Sequence, residues 1–480
     1  MSLAATVARN TIAGFAGQTG LRLLQLATSA VLARALGVSD FGDFGYLVAV
    51  LTFFQFLGDL GVEKIAVREI ARAPERAAEL AGAAMTLRAA LSVGAAAAAI
   101  VFFLLAAPSP RLARIGILCA LTLPLTLASI YPAFYQAVLR VPAAMRLSLA
   151  QGAIASALLL LAALLPFVVP GLRGARLPLV AAAFALAGPA ALTASARLAR
   201  RDLRPRLAAD RAAWGRLLRQ AAPLAFNSIC ILVSLRADQV ILRDLKGPVA
   251  LGHYSAALRL FDAFTMVPAV LLLSGFPLMA RAAGEAPERL ARTAAWNYKL
   301  LSAFILPVAL AVTILAEPIL RALFGAPYAP AAAALSLLTW SLFFSFSAMV
   351  TFDAITAAGR QRIFVVLSIF TTAVNLGLNL WLIPRRGVTG AAIAALVYSA
   401  ANLPVLAMLR ETRPLVASFA RESGRPFFAT GILALAFVAG VPRAPFLVLL
   451  LPAYFLLLRL TGAIGPADLD RLRRALRRRA

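Results

Sequence analysis

Apolar stretches of about 17–25 residues, separated by short polar connections, recur along the whole chain, and that is the length an α-helix needs to cross a hydrocarbon core. Walking the pattern predicts fourteen spans. The first six lie near 12–35, 44–62, 82–106, 113–138, 148–169 and 177–198. Six more lie near 221–242, 250–278, 297–317, 329–356, 362–383 and 388–409, and a last pair near 426–441 and 445–460. The tight turn at Val441–Pro445 leaves a single re-entrant hairpin as the competing reading of that pair. The first stretch is longer than a signal-peptide core and is interrupted by Arg22, so it is expected to stay as a membrane helix. Most connections are under ten residues, too short for an extramembrane catalytic domain.

Composition fits this pattern. The 480 residues are 62% hydrophobic and 14% charged, with a mean hydropathy of +0.87. Soluble domains carry about a quarter charged residues, so a soluble enzyme is excluded. Lys and Arg number 47 against 20 Asp and Glu, a formal charge of +27. With the N-terminus in the cytoplasm, 31 basic residues assign to cytoplasmic segments, 11 to the far side and 5 to the spans or their edges. That bias is the positive-inside pattern, with attraction to anionic headgroups, and it places both termini in the cytoplasm. The dispersed charge gives no reason to expect nucleic-acid binding. Cys119 and Cys230 form neither a disulfide framework nor a metal-ligand spacing, and no cofactor motif occurs.

The most basic internal loop, ARRDLRPRLAADRAAWGRLLRQ, separates spans six and seven, and after it the chain begins again. LARALGVSDFGDFGYL (Leu32–Leu47) is matched by ILRDLKGPVALGHYSAAL (Ile241–Leu258), with Phe41-Gly42-Asp43-Phe44 against Leu251-Gly252-His253-Tyr254. The expected organisation is a six-helix bundle with its basic linker over 1–210, a second bundle over 211–415, and a helix pair with a basic tail over 416–480. Repeated bundles are common in transporters that work by alternating access.

Charges deep in such spans face a cavity or a partner. Arg22 lies about 15 Å along its helix and shares a face with Gln18, Gln25 and Ser29, giving a cavity-lining stripe or interhelical glue. Arg259 stands three residues before Asp262, as a local ion pair or as a cavity cation. Arg236 and Asp238 lie near the end of span seven, with Asn227, Ser234 and Asp238 at helical spacing. Arg88 reads as an interfacial arginine or a weaker cavity cation. Asp59 and Glu63, followed by Lys64 and Arg68, read as a salt-bridged helix end or as a gate, and Asp353 as a relay. Pro124, Pro132, Pro268, Pro277, Pro307 and Pro404 favour kinks.

Four segments, LARALGVSDFGDFGYLVAV, FFQFLGDLGVEKIAVREIAR, ADQVILRDLKGPVALGHYSAALRLFDAF and VNLGLNLWLIPRRGVTGAAIAALV, together resemble the polysaccharide-biosynthesis flippases of the multidrug/oligosaccharidyl-lipid/polysaccharide exporter superfamily. The resemblance implies an all-α polytopic fold: two pseudo-repeated six-helix bundles around a V-shaped central cavity, plus a C-terminal helix pair. It implies cargo of the polyprenyl-pyrophosphate-linked oligosaccharide class, flipped to the periplasmic leaflet for O-antigen or exopolysaccharide synthesis, with downstream polymerase and export components as candidate partners. Relatives that move the peptidoglycan lipid precursor use cavity arginines on their first and eighth helices, where Arg22 and Arg259 fall. The basic residue on their second helix has no counterpart in Tyr46–Leu57, which points to a different glycan. Arg22, Arg236 and Arg259, with Arg88, would hold the diphosphate through charge-assisted hydrogen bonds. Glutamines and asparagines would meet the sugars, while the polyprenyl chain stays in lipid. No bond is made or broken in such a step. The alternatives are a multidrug/cation antiporter of the same superfamily and a membrane glycosyltransferase, ligase or polymerase.

Overall fold

The computed structural model describes residues 3–465 except 208–209, 266–278, 280–281, 286, 359–361, 411 and 464. Among the described residues the regular structure is helical, and nine helices are long and apolar enough to cross a membrane. In chain order they include α1 (Leu3–Leu57), α2 (Val62–Arg72), α3 (Ala77–Ala106), α4 (Pro110–Ala120), α5 (Ile130–Ala137), α6 (Val141–Val168) and α7 (Arg176–Leu198). There follow α8 (Arg211–Phe264), α9 (Pro287–Leu323), α10 (Ala332–Ala357), α11 (Arg362–Met408), α12 (Arg413–Val438) and α13 (Arg443–Leu460).

Three of these are interrupted by one glycine each. α1 turns at Gly37 (φ 76°, ψ 171°), α8 at Gly247 (φ 84°, ψ 178°) and α11 at Gly387 (φ 55°, ψ −128°). A positive φ is strained for any residue with a Cβ, and glycine takes it freely. The α8 joint is a reversal. Tyr254 donates to Asp238 at 2.6 Å, though the two would be about 24 Å apart along a straight helix at 1.5 Å per residue. The Gly37 angles repeat those of Gly247 and build the same turn. Spans one and two, and seven and eight, are therefore arms of continuous hairpins, and spans eleven and twelve are parts of one helix interrupted at Gly387. Span eight's second part, with Pro268 and Pro277, lies outside the described residues.

The other expected spans mostly appear as single helices. Span four is broken: α4 ends at Ala120, a 3-10 turn covers Leu123–Leu125 around Pro124, and α5 restarts at Ile130. The final pair forms two helices whose shared core includes Ala429, Leu433, Phe446, Leu450 and Tyr454. One element departs from the hydropathy pattern. The basic run after span two folds as amphipathic α2, burying Val62, Ile65, Ala66 and Ile70 while Arg68 and Arg72 point outward. Positive-φ Leu60 and Gly61 set it off from α1.

Compactness divides the chain in two. The first unit holds residues 1–266 with 321–328 and 368–391. At its joint end the two hairpins interlock reciprocally: a Cβ on Gly42 would lie 1.9 Å from the Pro248 carbonyl oxygen, and one on Gly252 would lie 2.1 Å from that of Val38. Each contact pairs the residue after one joint glycine with the glycine five positions past the other. The 210-residue repeat seen in the sequence is thus a repeat of structure. Segment 321–328 staples this end, with Arg34 Nε donating to the Leu323 carbonyl at 3.0 Å and Tyr328 Oη to that of Ala33 at 2.9 Å. In the second unit, hydroxyl pairs join helices: Tyr298 with Thr351 at 2.7 Å, Ser302 with Ser423 at 2.7 Å, and Ser345 with Ser399 at 3.1 Å. In lipid, where the hydrophobic effect gives no drive between helices, such bonds add about 0.6 kcal/mol each to van der Waals packing.

Candidate functional site

The intramembrane arginines of the first unit fall into two groups. Arg88 on α3 is only 6% exposed, and its charge is met by both acids of the α1–α2 turn. Its Nε lies 2.9 Å from Asp59 Oδ1, an ion pair rather than an aligned hydrogen bond, and its Nη1 donates to Glu63 Oε2 at 3.2 Å. Ser129 closes the network by donating to the same Glu63 oxygen and accepting from Arg88 Nη1. Asp59 also accepts from the backbone N–H groups of Gly61 and Glu63. The two acids thus fix the turn and neutralise Arg88; they do not pair with Lys64 or Arg68 as the sequence spacing suggests.

Arg243 behaves likewise. Its sequence position suggests an exposed loop, yet it is buried, with Nε donating to Asp43 Oδ1 at 2.7 Å. This pair joins α1 to α8 beside the interlocked glycines. The repeat motif places Asp43 in plain view, but its partner lies 200 residues away and no local spacing announces it.

The second group closes no ion pair among the described residues. Arg22, Arg236 and Arg259 are each half-buried, and none makes a hydrogen bond or ion pair among the described residues. The Nε of Arg236 is enclosed without an acceptor. Arg259 feels the field of both Asp262 and Arg236, but it closes no ion pair with Asp262. On α1, Gln18 and Gln25 are exposed beside Arg22, while Ser29 is buried. The stripe expected on span seven does structural work in part. Ser234 meets Thr372 of α11 at 2.9 Å, and Asp238, 8% exposed, accepts from Tyr254. The side chain of Asn227 lies outside the described residues. Asp353 is half-buried on α10 in the second unit.

Beside Arg236 is a cavity of about 290 Å³. Its wall is otherwise apolar, with Phe53 and Phe54 from α1, Phe102 from α3, Val233 from α8 and Leu376 from α11. A second cavity, about 310 Å³, lies where α5 and α7 end and α6 begins, lined by Tyr135, Arg140, Arg146 and Asp202. There Tyr135 Oη and Arg140 Nη1 donate to the Asp202 carboxylate at 2.7 and 2.8 Å, and these bonds hold its pKa below the usual aspartate value. No group of three or more potential metal ligands occurs among the described residues.

The family model for polysaccharide biosynthesis proteins matches residues 7–283, more than half of the chain. The chain belongs to this family. The model for MatE transporters matches residues 223–381 as well. Among solved structures, the lipid II flippase MurJ in an inward closed conformation is similar over 96% of this chain and 99% of its own, with a TM-score of 0.70 at 13% identity. An inward-facing multidrug resistance MATE transporter of the MOP superfamily is similar over 84% of this chain and 96% of its own (TM-score 0.61, 16% identity). An outward-facing MATE transporter gives 0.52 over 87% and 96%, at 18% identity. At these identities the likeness shows the fold. No curated protein sequence matches the chain. This member of the polysaccharide biosynthesis family is thus a multi-pass membrane protein whose matching families are transporters and flippases.

Proposed function

We propose that the chain flips a polyprenyl-pyrophosphate-linked oligosaccharide from the cytoplasmic to the periplasmic leaflet of a bacterial inner membrane, by alternating access and without making or breaking a bond. One observation carries this reading: among the described residues Arg22, Arg236 and Arg259 close no ion pair, whereas Arg88 and Arg243, in the same unit, are each paired with carboxylates. An uncompensated cation in a membrane protein is expensive and tends to mark a functional site. A diphosphate supplies the missing charge, and a guanidinium can grip it with two parallel hydrogen bonds. Gln18 and Gln25, exposed beside Arg22, suit sugar hydroxyls. Residues 1–210 and 211–415 are the two bundles we propose to move, with 416–480 as an added helix pair. Both termini are proposed to be cytoplasmic.

The test is leaflet-resolved translocation of lipid-linked oligosaccharides in proteoliposomes. Arg22→Ala and Arg259→Ala are each expected to slow flipping at least tenfold. Full-rate flipping by both variants would overturn the cation site. The MatE match favours a second reading, export of a small organic molecule. It predicts transport of a lipid-free cation that depends on Asp238 or Asp353, and the same proteoliposomes distinguish the two by cargo.

A further inference from the structure

The cavity beside Arg236 is a mismatched environment for a cation. Arg236 meets Phe53, Phe54, Phe102, Val233 and Leu376, a wall with no side-chain acceptor, and its Nε is enclosed without one. The nearest acid in sequence, Asp238, stands two positions away, about 200° around a helix of 3.6 residues per turn, and its carboxylate is held by Tyr254. Free phosphate would satisfy the guanidinium but leave the aromatic wall empty. A neutral hydrocarbon would fill the wall and leave the guanidinium bare. The pair of features suits one kind of molecule, in which an anionic group is bonded directly to an apolar chain.

We infer that this cavity binds the junction of an acidic lipid: the phosphate on Arg236, and the first carbons of the chain among Phe53, Phe54, Phe102 and Leu376. At ~30 Å³ per non-hydrogen group, the liquid share of a water molecule, about 290 Å³ accommodates about ten such groups, which is the phosphate together with one five-carbon prenyl unit. The inference rests on the flippase reading and amends it. The chain does not stay wholly in lipid, because its phosphate-proximal end enters the protein. Recognition would then extend past the diphosphate into the carrier, so that long chains are told apart by their first units and not by their total length.

The probe is geranyl phosphate, a ten-carbon branched prenyl monophosphate, titrated against the purified full chain in nanodiscs, with geraniol and inorganic phosphate as halves of the same molecule. Geranyl phosphate is expected to bind at least tenfold more tightly than either half. Arg236→Gln is expected to lose at least tenfold in that affinity, with geraniol binding unchanged. Leu376→Trp, which fills the cavity without touching the cation, carries the same test if Arg236→Gln does not fold. Equal binding of geranyl phosphate and inorganic phosphate, or undiminished binding by both variants, would overturn the inference. Flipping assays on the wild type separate the two claims. Flipping without geranyl phosphate binding leaves the function standing and removes this site. Geranyl phosphate binding without flipping keeps the site and removes the glycan cargo.

Discussion

An arginine among membrane helices acquires its meaning from what surrounds it, and here arginines of one unit have opposite surroundings. Arg88 sits in a closed network, so Arg88→Ala leaves the half-buried Asp59 and Glu63 unopposed, at a cost of about 1–3 kcal/mol, below that of stranding a fully buried charge. Thermal unfolding in detergent should show that loss, and Arg88→Met combined with Asp59→Asn and Glu63→Gln should recover most of it. No recovery in the triple variant would contradict the network. Asp202 supplies a pH test outside the membrane spans. Because hydrogen bonds from Tyr135 and Arg140 depress its pKa, the Asp202 links persist through the ordinary aspartate range near 3.9 and are lost only on further acidification. Limited proteolysis of the segment around 199–206 should stay slow down to that range, and Asp202→Asn should be cut readily at every pH. Sequence alone exposed Arg22, Arg236 and Arg259, because a lone charge in an apolar run is visible without a fold. It could not pair Arg88 with its acids or Arg243 with Asp43, since those bonds join residues 25 and 200 apart.

At the level of helices, hydropathy found nearly every span but treated each hairpin as two. The reversal is made by a single positive-φ glycine inside a short polar connection, and helical backbone continues up to it on both sides. α2 escaped notice for the converse reason: its charges resemble a loop, and only the placement of Val62, Ile65, Ala66 and Ile70 on one side shows a half-buried helix. The joints make a sharp comparison possible. Gly42→Ala or Gly252→Ala puts a methyl group against backbone that cannot retreat and should destabilise by about 1–3 kcal/mol. Gly94→Ala, on α3 with open space around it, should be neutral or stabilising by up to about 1 kcal/mol. Unfolding midpoints of the three variants, measured side by side, check the ranking; equal midpoints would contradict the interlock.

The molecule as a whole repeats one design, and the repeat meets itself at the joint end. There the Gly42–Pro248 and Gly252–Val38 contacts and the Asp43–Arg243 pair hold the two hairpins together. If alternating access separates these arms, a disulfide between Asp43→Cys and Arg243→Cys should stop translocation, and a reductant should restore it. A cross-linked protein that flips at the wild-type rate would exclude opening at this end. The sequence showed the repeat through Phe41-Gly42-Asp43-Phe44 and Leu251-Gly252-His253-Tyr254, but not that the two copies face each other. The Asp43–Arg243 bond also carries a consequence for biogenesis. Asp43 is synthesised 200 residues ahead of its partner, which at 5–20 residues per second is a wait of about 10–40 s. Through that interval the first hairpin holds an acid with no mate, so the nascent chain stays marked as unfinished until the second hairpin arrives to neutralise it.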